Sequence, residues 1–250
     1  NLMSQGRFYT ADYLGEMVSA NTSWKTRNDP DSMTWVEKTI LNDDHDGVAH
    51  VIGNSKSRDK FDLRFLKGQV GGARGVRSVG QSYGCNLLYK DFNPTFLIAT
   101  NKDICTDIAA SGYGEDNIVY SNVKNILAHP GSFHLYPQMF TASIGTLALR
   151  LACADGHKQV FMVGMTCYDK EDDNIYIGEH AVYKPVNVEG ANAKLIQEAC
   201  KIFLTYSDVE FYYVAKDVGL MPEAYNWVPN VKEITYTQYF NLAGLGAIAH

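Results

Sequence analysis

Up to about residue 47 the chain is polar and weakly patterned. From Val48 onward, short apolar runs alternate with segments whose apolar residues recur at helical spacing. Val48–Ile52 reads as a strand ending at Gly53, and residues 59–66 have helical character. Residues 95–100 form a β-branched and aromatic run, Lys102–Ala110 can be a helix stopped at Gly112, and residues 117–120 make a short strand. Residues 143–155 carry Ile144, Leu147, Leu151 and Ala154 on one helical face, with a stop at Gly156. A strand over 160–163, a long amphipathic helix over 191–206, a strand over 209–214 and a final one near 233–236 complete the pattern. Continuous apolar strands between helices predict a parallel sheet buried on both faces. The expected fold class is therefore α/β, Rossmann-like and doubly wound, with a mainly parallel sheet. Before it, Asp29 or Asp31 can cap a helix with Pro30 in its first turn, and Met33, Val36 and Ile40 recur near helical spacing. This predicts an N-terminal helical extension over 1–47 and one α/β domain over 48–250.

Composition narrows the class of function. The 250 residues are 46% apolar, enough for a sizeable core. The formal charge of −6 lacks the basic surplus of a general nucleic-acid binder. No apolar run approaches the roughly 20 residues that span a bilayer, and the polar opening residues do not read as a signal peptide. Five cysteines without a CxxC pair are expected to be reduced, core-type residues, which points to a reducing compartment. The expected location is the cytoplasm, with the inner membrane face as an alternative. Homo-oligomerisation stays open.

Ligands of doubly wound sheets sit where strands end, so the strand exits are where chemistry is sought. Gly53-Asn54-Ser55-Lys56-Ser57 follows the first strand and suits a phosphate or ribose, although Gly, Asn and Ser also make plain turns. Thr141-Ala142-Ser143-Ile144-Gly145 opens the 143–155 helix as a cap, and a glycine in the first turn can admit an anion. Gly164-Met165-Thr166-Cys167-Tyr168 leaves the 160–163 strand. The common fingerprints are absent: no GxGxxG opens a helix, and there is no GxxxxGK[ST], GxSxG or HExxH.

In their order, these segments resemble the small bacterial sialyltransferases that transfer sialic acid from CMP-sialic acid to lipooligosaccharide (glycosyltransferase family 42). That family places Gly-Asn-Gly-Pro-Ser after its first strand and Cys-Asn after its second. A Thr-Ser-Gly helix start leads to Gly-Tyr-Lys-Glu, a strand and Gly-Ile-Asp-Phe-Tyr. The counterparts here are Gly53–Ser57 and Cys85-Asn86, then Ser143-Ile144-Gly145, Gly156-His157-Lys158-Gln159 and Gly164–Tyr168. The resemblance covers roughly Val48 to Leu220. It implies substrate-binding roles for Gly53, Asn54, Ser55, Ser57, Asn86, Ser143, Gly145 and Thr166. It also implies phosphate-steadying roles for Tyr168 and Tyr176. Tyr176-Ile177-Gly178-Glu179-His180 resembles the family's Tyr-Ile-Gly-His stretch, with His180 as the general base.

The departures are specific. Ser55-Lys56 replaces Gly-Pro, Thr166 replaces an acidic residue, and the 169–175 stretch is shorter than the family's lid. Glu179 holds the strict base position, and Asn187 is a further candidate that cannot serve as a base. The resemblance implies a metal-independent glycosyltransferase with no cofactor, a CMP-linked sugar donor and a glycan acceptor. The competing readings are a nucleotide- or sugar-binding module without catalysis, and another α/β enzyme such as a methyltransferase or nucleotide hydrolase.

Overall fold

A computed structural model describes residues 22–26, 35–39, 45–67, 79–136, 143–165 and 173–245. Strands β1 (Thr22–Thr26) and β2 (Trp35–Thr39) pair antiparallel. This corrects the expected N-terminal helix at its C-terminal half. Trp-Val-Glu-Lys-Thr is rich in β-branched and aromatic residues, and a neighbouring strand of similar make-up outweighs the helical spacing of Val36 and Ile40. The proposed capping residues Asp29, Pro30 and Asp31 lie outside the described residues.

Eight strands follow in one sheet: β3 (Val48–Ile52), β4 (Gln81–Cys85), β5 (Phe96–Ile98), β6 (Val119–Ser121), β7 (His134–Leu135), β8 (Gln159–Val163), β9 (Glu210–Ala215) and β10 (Val231–Thr235). Their order is β10-β9-β8-β3-β4-β5-β6-β7, and every pairing is parallel. With β3 taken as the first strand, β10-β9-β8-β3-β4-β5 is the order of a dinucleotide-binding sheet, extended by β6 and β7. The chain leaves β3 toward β4 on one side and returns through β8 on the other. The order therefore reverses between β3 and β8.

The helices are α1 (Lys102–Ala110), α2 (Tyr113–Asp116), α3 (Val123–Ala128), α4 (Ile144–Ala154), α5 (Val188–Thr205) and α6 (Tyr236–Leu242). Strand alternation sorts them onto two faces. Ala49 and Val51 pack with Leu147 and Leu151 of α4 and with Ile202 and Phe203 of α5. Ile52 on the other face packs with Ile104 and Ile108 of α1, Ile126 of α3 and Tyr239 of α6. Both faces are thus covered, as a parallel sheet requires.

The first and fourth helices form where their caps and periodicity predict. Asn101 accepts the Asp103 and Ile104 N–H groups of α1 at 2.9 and 3.3 Å, and Ser143 caps α4. Residues 59–66 differ: the chain there forms 3-10 turns at Lys56–Arg58 and Leu63–Leu66. The Ser55 and Asp62 side chains accept N–H groups two residues on, which closes short turns instead of an α-helix.

Candidate functional site

The topological reversal fixes where the site can be. Ile52 pairs with Val163, so β3 and β8 end side by side and release Gly53 and Gly164 together. The Gly53 N–H donates to the Val163 carbonyl at 2.8 Å, and the Ser55 N–H donates to the Gly164 carbonyl at 3.0 Å. A Cβ on Gly53 would stand 2.3 Å from the Gly164 carbonyl oxygen, so only glycine lets these two exits touch. Gly164 itself has φ +65°.

A cavity of about 210 Å³ opens at this point. Its floor is Gly53, Asn54 and Ser55 from the β3 exit, Cys85 and Asn86 from the β4 exit, and Gly164 and Met165 from the β8 exit. Ser143, Ile144 and Gly145 bring in the start of α4, and the 174–186 segment closes the remaining side through Asn174, Ile177, Tyr183 and Lys184. The structure thus assembles Gly53, Asn54, Ser55, Asn86, Ser143 and Gly145 from segments up to 92 residues apart in sequence. Ser57 does not line the cavity. Its N–H donates to the Ser55 Oγ at 3.2 Å, and its carbonyl accepts the Tyr236 hydroxyl at 2.6 Å. Thr166 and Tyr168 lie outside the described residues.

The polar groups of the cavity are held by specific contacts. The Asn54 amide donates to the Cys85 carbonyl at 3.2 Å, which ties the β3 exit to the β4 exit. Asn86 has φ +51°, the only positive φ of a non-glycine residue among the described residues. Such strain costs on the order of 1–3 kcal/mol and concentrates at functional positions. At the mouth of α4, Glu198 of α5 accepts the Ser143 N–H and the Thr146 hydroxyl, both at 2.8 Å, so the helix start already holds a carboxylate. Burial pushes the Cys85 thiol up to about 12, with the Arg58 charge opposing. Cys85 is therefore a neutral wall atom and not a thiolate nucleophile.

The segment that carries the remaining expected residues is pinned to the β3 exit. The Ser55 hydroxyl donates to Asp173 at 2.9 Å, and the Ile175 N–H donates to the Asn54 carbonyl at 2.9 Å. Tyr176 is buried, and its hydroxyl is turned to other partners: it donates to Asp91 at 2.6 Å and accepts from Arg58 at 3.2 Å. Burial, followed by the hydrogen bond to Asp91, raises the Tyr176 pKa. Arg58 in turn donates from Nε to the Gly53 carbonyl at 2.7 Å, so this buried guanidinium braces the turn from beneath.

His180 does not line the cavity either. Its Nε2 lies 3.1 Å from an Asp107 carboxylate oxygen, and its Nδ1 accepts the Val182 N–H at 3.2 Å. The neutral tautomer compatible with both contacts carries its proton on Nε2. Tyr183 and Lys184 line the cavity, and sequence reasoning passed over both. The only signal available was their place a few residues after His180, in a stretch without helical or strand periodicity.

No family model matches the chain, and no curated protein matches it in sequence. Among solved structures, the sialyltransferase CST-II, determined as a variant in complex with CMP, overlays 79% of this chain and 98% of its own. The identity is 11% and the TM-score 0.46. The monofunctional alpha-2,3-sialyltransferase Cst-I from Campylobacter jejuni overlays 80% of this chain and 93% of its own, at 12% identity and a TM-score of 0.44. No helix among the described residues is long and apolar enough to cross a membrane.

Proposed function

We propose that this protein is a glycosyltransferase of the sialyltransferase type, which takes a sugar from a nucleotide-linked donor, CMP-linked by preference, and passes it to a glycan hydroxyl. One observation carries the reading. Four segments that resemble that family only by their order, at Gly53–Ser55, Cys85-Asn86, Ser143–Gly145 and Gly164-Met165, meet at one cavity where the strand order reverses. At about 210 Å³ the cavity is below the roughly 300–1,000 Å³ of sites that enclose a drug-sized ligand. It suits the nucleoside part of a donor, with the sugar and acceptor outside it.

In this reading Lys184 attracts the donor phosphate, and His180 is the general base. Asp107 orients its imidazole as a carboxylate orients the histidine of a catalytic triad. The Nδ1 lone pair, now spent on the Val182 N–H, is the one that would take the acceptor proton. Tyr168 is the phenol left to steady the departing phosphate, since Tyr176 is committed to Asp91 and Arg58.

The test is a transfer assay with CMP-linked sugars on glycan acceptors. His180→Ala is expected to lower the rate by roughly 10²–10⁴-fold with donor affinity nearly intact, and EDTA to have no effect. Glu179→Gln, assayed in parallel, decides between the neighbouring candidates. Equal rates for wild type and His180→Ala would remove the histidine from the mechanism. For the donor itself, Asn54→Ala is expected to weaken CMP binding by roughly 1–3 kcal/mol, since it removes a buried polar partner. Unchanged calorimetric affinity for CMP in that variant would place the nucleotide elsewhere.

A second reading, a nucleotide-binding module without catalysis, is favoured by one feature: both His180 ring nitrogens are engaged away from the cavity. It predicts CMP binding with no transfer to any acceptor.

A further inference from the structure

We propose that Glu198 sets the charge of the sugar this protein accepts. Its carboxylate fills the start of α4, so the donor sugar is one that turns an uncharged group, and not a carboxylate, toward Ser143. The inference rests on the nucleotide-sugar reading above and deepens it.

A helix start offers N–H groups that the helix itself cannot meet, and it favours negative charge. In α4 that demand is answered from within the protein. Glu198 of α5 places its Oε2 atom 2.8 Å from both the Ser143 nitrogen and the Thr146 hydroxyl. The Thr146 N–H donates to the Ser143 Oγ at 3.4 Å. The Glu198 side chain is only 16% exposed, so solvent ions screen its charge weakly. Lys194, one turn earlier, stands 3.9 Å from the other carboxylate oxygen and is 60% exposed, which cancels that charge only in part. The start of α4 is therefore no seat for an anion: it already carries a fixed negative charge.

Ser143 lines the cavity, and Glu198 stands directly behind it. Among the described residues Lys184 is the only charged side chain of the lining, and it is the partner for the donor phosphate. A nucleoside and a sugar joined through one phosphate bring one negative charge to that lysine. A carboxylate on the sugar adds a second. Turned toward Ser143, it would find the N–H already taken and the Glu198 carboxylate behind it. Two like charges a few ångström apart near a protein surface repel by more than a roughly tenfold loss of affinity requires. A hydroxyl, an acetamido group or an ester meets no such repulsion.

Sialic acid, the sugar moved by the family that the sequence resembles, carries such a carboxylate. The filled helix start thus marks a departure in substrate on a shared fold. Selection here works through a repulsive element, which rejects a ligand that would otherwise fit. Glu198 does not line the cavity itself and acts through Ser143. Its signature is therefore a change in the preference between charged and uncharged donors, which a purely structural role would leave unmoved.

The experiment is calorimetric titration of the full chain with CMP, with CMP-N-acetylneuraminate and with the carboxyl methyl ester of that donor. The acid and the ester differ by one charge and one methyl group, and the ester's extra size works against the expected order. Wild type, Glu198→Gln and Glu198→Ala are compared. Glutamine keeps an oxygen for the Ser143 N–H and the Thr146 hydroxyl, whereas alanine opens the helix start outright. In wild type the ester should bind roughly tenfold or more tightly than the acid. In Glu198→Gln the acid should gain and the ester hold, so that the ratio approaches one. In Glu198→Ala the acid should bind at least as tightly as the ester, because the freed helix start now favours an anion. An acid that matches or exceeds the ester in wild type overturns the charge assignment and, with CMP bound, leaves the nucleotide reading standing. A preference for the ester that persists unchanged in both variants removes Glu198. No binding of CMP or of either donor overturns both readings.

Discussion

Between pH 7 and pH 5 the folded chain is expected to lose roughly 4 kcal/mol of stability, because two histidines are buried in their neutral form. His50 of β3 is fully buried, with Nε2 donating to the Val79 carbonyl and Nδ1 accepting the Tyr239 hydroxyl, both at 2.6 Å. Burial, opposed by the hydrogen bond to Val79 and the charge of Asp46, lowers its pKa to about 4. His157 is equally enclosed: it stacks on His45 at 3.9 Å, its Nε2 lies 3.0 Å from both Tyr83 and Gln81, and its Nδ1 has no partner to receive a new N–H. Burial, followed by the charges of His45 and His50, lowers its pKa to about 3.

Both folded values lie below the ordinary 6.5 of an exposed histidine. The unfolded chain therefore binds up to two more protons than the folded one between about pH 6.5 and about 4, and stability rises with pH across that window. Each histidine contributes up to about 1.4 kcal/mol per pH unit, against a net stability of roughly 5–15 kcal/mol. Asp208 and Glu210, whose pKa values are lowered by hydrogen bonds to Lys158 and Tyr212, are exposed and weaken the fold only at more acid pH. Urea unfolding at pH 7 and pH 5 isolates the histidine effect. A midpoint that does not move would refute it, and His157→Gln should remove about half of the shift.

Gly53→Ala is expected to cost at least about 1–3 kcal/mol, the range for an overpacked interior, and to abolish ligand binding. The new methyl would lie 2.3 Å from the Gly164 carbonyl oxygen and 2.8 Å from its carbon. Both are backbone atoms fixed by the β3–β8 pairing, so no side chain can swing aside. Gly145→Ala makes the instructive contrast. Its Cβ would meet only the Met165 methyl, at 3.4 Å, and alanine is the better helix former by about 1 kcal/mol. That variant should keep or raise the melting temperature while weakening nucleotide binding, because residue 145 lines the cavity. If Gly53→Ala unfolds at the same urea concentration as wild type, the close approach of the two strand exits is not a constraint.

The locally encoded elements were legible in the amino-acid sequence. Val48–Ile52 is a continuous apolar run, Lys102–Ala110 follows an asparagine cap, and α4 has both a serine cap and a regular apolar stripe. Each depends on residues within a few positions, so pattern alone determines it. The segments that line the cavity, Gly53 to Ser55, Ser143 to Gly145 and Gly164-Met165, were legible as strand exits and a helix start for the same reason: glycine and short polar residues directly follow or open a regular element.

Other features were settled only by the fold. Gln81-Ser-Tyr-Gly-Cys reads as polar, and it is a central strand because two neighbouring strands and Leu88, whose methyl fills the space beside Gly84, bury it. The left-handed turn at Asn86, the diversion of Tyr176 to Asp91 and Arg58, and the pairing of His180 with Asp107 all depend on residues 73 to 118 positions away or on backbone strain. Tyr183 and Lys184 carry no local signal at all. They become cavity residues because the strand order reverses between β3 and β8, leaving a crevice that the 173–187 segment crosses. Local sequence specified the pieces through backbone preference and apolar periodicity. Which of them face one another was decided by a long-range parallel pairing that no short stretch of sequence encodes.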